Sequence, residues 1–154
     1  MTFRYSLARI HELVSAPKSV SEGQQVFPPK KKGKDGLSFR CDLDLIDGGF
    51  MDLEFYGKAG IADIPGSYDS TLMIEKQRVR GIGFNATGRK NLKNKVSIPK
   101  GWHENVIDPN RSTKDPAYNR HEALPGFKVE GFEDFTRKVA KKWNIDLQWE
   151  TVLL

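Results

Sequence analysis

The side chains best placed to do chemistry are two histidines in segments of irregular composition. His103 lies in Gly101-Trp102-His103-Glu104-Asn105, and His121 lies in Asn119-Arg120-His121-Glu122. An imidazole titrates near working pH, so one neutral and one protonated ring can take and return a proton. With an arginine alongside, such a pair suits metal-independent cleavage of RNA. One ring would accept the 2′-hydroxyl proton and the other would protonate the leaving oxygen. Arg120, or else Arg111 or Arg89, would stabilise the charged phosphorane. The spacing of the two histidines follows no diagnostic rule, and ordinary loop-packing histidines are the plain alternative.

The second signal is charge. The chain has 154 residues and a formal net charge of +5. Between Lys76 and Lys100 every charged residue is basic: Lys76, Arg78, Arg80, Arg89, Lys90, Lys93, Lys95 and Lys100. Between Cys41 and Glu54 every one is acidic: Asp42, Asp44, Asp47, Asp52 and Glu54. The basic run reads as a phosphate track in which Arg78, Arg80, Arg89, Lys90, Lys93 and Lys95 contact nucleic acid. Trp102, with Phe84 and Tyr118, would stack on bases. The competing reading is that acidic and basic strands lie side by side and neutralise each other.

Several other chemistries fail on pattern. Gly83 to Lys90 has the glycine spacing of a phosphate loop, but Arg89 and Lys90 stand where lysine and a hydroxyl residue are needed. Asp42, Asp44, Asp52 and Glu54 would share a strand face and tempt a divalent ion. The Asp42-to-Gly49 string nevertheless puts Ile46 at a ligand position of a calcium loop, so no metal is expected. No haem, flavin or nicotinamide motif occurs, and no cofactor is expected. The lone Cys41 alternates with polar neighbours toward the apolar side of a strand and reads as an inert thiol. It can form no internal disulfide, which fits a reducing compartment.

These groups need a scaffold. Phe3 to Val14 has a helical apolar stripe that Ala16-Pro17 ends. Residues 19–36 read as a flexible basic loop carrying Lys30 to Lys34. Leu37 to Leu45 alternates strictly and turns at Asp47-Gly48-Gly49 into a second alternating run from Met51 to Tyr56, which predicts a β-hairpin. Ser70 to Gln77 and Arg78 to Asn85 predict two more strands, with Gly81 and Gly83 marking a bulge or a close backbone approach. Residues 86–126 read as a long irregular segment, apart from a short strand at Lys95 to Ile98. Glu130 to Asn144 is the strongest helix, with Phe132, Phe135, Val139 and Trp143 on one face and its acids before its bases. Leu147, Trp149 and Thr151 suggest a terminal strand.

The expected fold class is α+β: an antiparallel meander of about four to five strands in one domain over residues 1–154, packed by the C-terminal helix with a short N-terminal helix. The expected protein is soluble and cytoplasmic, with no signal peptide and no membrane contact. Its expected function is that of a small nucleic-acid-associated protein, binding RNA or DNA, with a metal-independent ribonuclease-like activity if it is an enzyme. The alternative is a non-catalytic module that docks on a protein partner or inhibits it.

Overall fold

The computed structural model describes residues 5–24, 30–31, 36–60, 64–90, 96–109 and 118–147. Leu7–Ser15 forms helix α1. The Ser6 hydroxyl accepts from the Arg9 backbone N–H at 3.1 Å and caps its start. Ile10, Leu13 and Val14 are buried on one face, as the 3.6-residue spacing requires. Phe3, which the sequence assigns to the same stripe, lies outside the described residues.

The end of α1 is closed from the next strand. Lys18 is fully buried, and its Nζ donates to the carbonyls of Leu13, Val14 and Ala16 at 2.8, 2.7 and 2.6 Å. The ammonium thus satisfies acceptors that a helix C-terminus leaves without intrahelical donors.

The strands follow as β1 (Lys18–Val20), β2 (Lys30–Lys31), β3 (Leu37–Leu45), β4 (Leu53–Ala59), β5 (Asp69–Ile74), β6 (Gln77–Asn85), β7 (Arg89–Lys90), β8 (Ser97–Ile98), β9 (Gly101–Val106), β10 (Arg120–Ala123) and β11 (Ile145–Asp146). Helix α2 spans Phe132–Lys142 between the last two strands. Among the described residues nine strands join one sheet in the order β10-β9-β6-β5-β4-β3-β1-β11, with β2 also paired to β3. β7 and β8 form a separate two-stranded ribbon. The β3-to-β6 meander is the one the sequence predicts, but the sheet is larger than four to five strands. The reason is that β9 and β10 extend it inside the supposedly irregular 86–126 segment, while β1 and β11 extend its other edge. Within 19–36, Ser19 and Val20 belong to β1 and Lys30–Lys31 to β2; residues 25–29 and 32–35 lie outside the described residues.

The turn between β5 and β6 uses Glu75 and Lys76 at φ 47 and 67°, a left-handed pair that hairpin twist favours. The pairing register shifts between Leu72 and Met73, so Val79 is an extra residue in β6.

Pleating sorts the sheet's residues onto two faces. Phe39, Cys41 and Leu43 of β3, Leu53 and Phe55 of β4, Leu72 of β5 and Ile82 of β6 are buried together with α1 and α2 in one core. Phe135 stacks near Trp102 and Tyr68, and Trp143 meets Phe55 edge-on. Asn144 ends α2 with φ 56°, and its amide donates to the Ser15 carbonyl at 2.9 Å, tying the ends of the two helices together. Both helices therefore cover the same face. Among the described residues no α-helix covers the opposite face. Trp149 and Thr151 lie outside the described residues, and the terminal strand is Ile145–Asp146, pairing in parallel with β1.

Candidate nucleic-acid interface

The helix-free face is built in cross-strand rows. One row runs Ser38, Lys58, Asp69, Gly83, His103 and Ala123 from β3 to β10. The next runs Arg40, Tyr56, Thr71, Gly81, Asn105 and His121. Met73 faces Arg78 in a third. Directly paired residues bring their Cβ atoms to about 5 Å, so each row is a set of neighbours.

Gly81 makes room in β6, whereas a side chain at Gly83 would meet only ordinary contacts. A Cβ at Gly81 would stand 2.9 Å from the Tyr118 hydroxyl, and one at Gly83 would stand 4.0 Å from the His103 ring. Tyr118 lies over Gly81 and donates its hydroxyl to the Arg80 carbonyl at 3.1 Å. Burial pushes the Tyr118 phenol up, well beyond its ordinary range.

His103 and His121 are brought together, with ring centroids 6.2 Å apart. His103 Nδ1 lies 3.2 Å from the Gly101 carbonyl, and His121 Nδ1 lies 2.6 Å from Asn105 Oδ1. Each Nδ1 lies against an oxygen, to which it donates in the Nδ1–H tautomer. Yet His103 is only 5% exposed, and the Nε2 of His121 is enclosed. Arg120 does not join them. Its side chain leaves the opposite face of β10 and is spent on Glu122, with Asp108 at 3.8 Å. Arg111 lies outside the described residues.

The basic run divides in the same way. Lys76 Nζ is 3.0 Å from Glu54 and 3.8 Å from Asp52, so here the acidic hairpin does neutralise it. Burial works to raise the Glu54 carboxyl, but hydrogen bonds from Arg40, Lys76 and Tyr56 overcome it and hold Glu54 below the usual range. Arg80 points into the helix-bearing face, 5% exposed and 3.8 Å from Glu104, where no external phosphate reaches it. Trp102 is also withdrawn: its ring is stacked 5.4 Å from Phe135 and packed against Phe84 and Phe127. The backbone of Arg89 and Lys90 forms β7, but their side chains, like Lys93 and Lys95, lie outside what is described. Arg78 alone of the described candidates stands exposed on the helix-free face.

Arg78 borders an open cleft of about 1050 Å³ across β3 to β6. Arg40, Tyr56, Lys58, Asp69, Thr71 and Met73 line it from the strands, and Gln24 borders it from the loop after β1. Gln24 is fixed there by a reciprocal pair of bonds: its amide donates to the Asp42 carboxylate at 2.7 Å and its carbonyl accepts from the Asp42 N–H at 2.6 Å. The Arg40 guanidinium lies 5.1 Å from the centre of the Tyr56 ring. Neither Lys58 nor Asp69 stands out before folding, because Lys58 falls outside the basic run and Asp69 outside the acidic one.

Among the described residues Asp69 is the lone carboxylate in the lining. Burial pushes its carboxyl up, while Lys58, Arg78, the Ser70 N–H and His103 pull it back without cancelling the rise. Among the described residues no group of three or more histidine, cysteine or acidic side chains is arranged to hold a metal ion. Nor is any helix among them long and apolar enough to cross a membrane. No protein-family model matches the chain, and no curated protein or solved structure does either.

Proposed function

We propose that the protein binds a single-stranded nucleic acid along the helix-free face of its sheet. The observation that carries this reading is the cleft across β3 to β6, lined by Lys58, Arg78 and Tyr56, with the Glu54-paired Arg40 guanidinium over the Tyr56 ring. Cations in an open groove follow a phosphate backbone, and a guanidinium plane or an aromatic ring accepts any base by stacking. At about 1050 Å³ the cleft lies at the upper end for a small-molecule pocket, which suits an extended chain.

The test is fluorescence anisotropy with a labelled 12-nucleotide RNA and its DNA counterpart across a salt series. The logarithm of affinity falls linearly with the logarithm of salt as counterions are released. Lys58→Ala and Arg78→Ala each weaken binding and lower the slope by about one. Lys141→Ala, on the exposed side of α2, changes neither. Binding that ignores salt, or variants that bind like the parent, would overturn the reading.

A second reading, docking on a protein partner, draws on the β3–β4 turn. Phe50 is 94% exposed and Ile46 55%, on either side of Asp47-Gly48-Gly49. A contact of that kind is held by apolar burial. A complex that persists at high salt and is lost in Phe50→Asp would favour it.

A further inference from the structure

Three side chains of the cleft share an arrangement that strand binding alone does not use. Lys58 and Asp69 are directly opposed across β4 and β5, and Arg78 faces the same cleft from β6. No ion pair ties any of the three among the described residues. Asp69 is half-buried and lines the cleft. Behind it, across Gly83, stands His103 in the same row. A carboxyl flanked by two cations in a concave site is a proton acceptor placed beside an anion-binding pair.

We infer that Asp69 is the general base of an RNA-cleaving centre, with Arg78 on the scissile phosphate and Lys58 as the acid. This rests on the strand-binding reading and deepens it. Asp69 takes the proton of a 2′-hydroxyl as O2′ forms its bond to phosphorus. The P–O5′ bond breaks, and O5′ receives a proton from the Lys58 ammonium. Arg78 holds the charge of the phosphorane. The products are a 2′,3′-cyclic phosphate and a 5′-hydroxyl, and water returns the protons to their starting groups. The perturbed carboxyl supports the assignment, since a base works best when its affinity for the proton approaches that of the medium. The charged and titratable groups that face Asp69 are Lys58 of β4, Arg78 of β6, His103 of β9 and Tyr118 beside β10. The buried histidine pair is then not the reacting one.

The experiment uses the full chain and the same labelled RNA, with a fully 2′-O-methylated copy alongside. Binding is read by anisotropy and cleavage by gel, and the new ends are tested for cyclic phosphate. The parent is expected to bind both strands and cut only the unmodified one. Asp69→Asn, near-identical in shape, is expected to bind within about threefold and to cut about a hundredfold more slowly, with Asp69→Glu recovering part of the loss. His121→Ala should keep cleavage within an order of magnitude if it folds, as judged by circular dichroism. A parent that binds RNA and never cuts it overturns this inference and leaves strand binding standing. So does Asp69→Asn cutting at the parent rate. A parent that binds neither strand overturns the strand-binding reading itself.

Discussion

The indole Nε1 of Trp143 donates to the Glu104 carboxylate at 2.8 Å, and both residues are buried between α2 and β9. Arg80 and Lys142 approach the same carboxylate at 3.8 and 3.7 Å. One acid thus ties the helix to the strand that carries His103. Removing it strands a buried guanidinium and an indole N–H. Glu104→Ala is expected to cost about 3–5 kcal/mol in urea unfolding. Glu104→Gln keeps an acceptor for the indole and should cost clearly less, as should Trp143→Phe.

Lys18 offers a pH-dependent test. Burial pushes its ammonium from 10.5 down to about 8, even with three carbonyl acceptors around it. Between those values the unfolded chain holds a proton that the native chain has released, so this residue adds stability as pH rises from about 8 to 10.5. The stability difference between the parent and Lys18→Met should therefore move in the parent's favour across that window. At neutral pH, Lys18→Ala leaves buried carbonyls without a donor and should cost about 3 kcal/mol.

Cys41 should behave as a hidden thiol. It is 1% exposed on the core face of β3, and burial pushes it from 9.0 up to about 12. A disulfide reagent added to the native protein should label it only as fast as the molecule opens, and labelling should be immediate in denaturing urea. Fast native labelling would place the thiol at the surface.

Gly57 and Gly83 lie on neighbouring rows yet predict opposite outcomes. A Cβ at Gly57 would fall 2.2 Å from the Phe39 ring, which Phe55 and Phe132 hold in place. Gly57→Ala should cost about 1–3 kcal/mol through overpacking. At Gly83 the nearest atoms stand at 4.0 Å, an ordinary contact, so Gly83→Ala should stay within about 0.5 kcal/mol of the parent. Thermal unfolding of both variants separates the two.

What the residues disclosed in advance depended on how cleanly each face was written. In β3, Phe39, Cys41 and Leu43 alternate with Arg40, Asp42 and Asp44, and water on one side keeps the pattern sharp. In α2 the aromatic stripe and ordered charges did the same. β9 has Trp102 and Glu104 on the helix side and His103 on the other, with both His103 and Glu104 buried. Polar residues lie inside on both faces, so no alternation marks the strand. The pairing of His103 with His121 could not be read at all, because it depends on the β9–β10 register. Arg80 and Trp102 misled for a related reason: charge and aromaticity are visible in a sequence, but the pleat that turns them toward α2 is not.

The parallel pairing of β1 with β11 joins positions near opposite ends of the described chain. During synthesis the outer rim of β1 has no partner until α2 and the residues after it have emerged. Such a distant closure is slow to form. The nascent molecule must therefore wait with Lys18 and its helix only half enclosed, and a pause or early stop before Ile145 would leave that rim open to pairing with another chain.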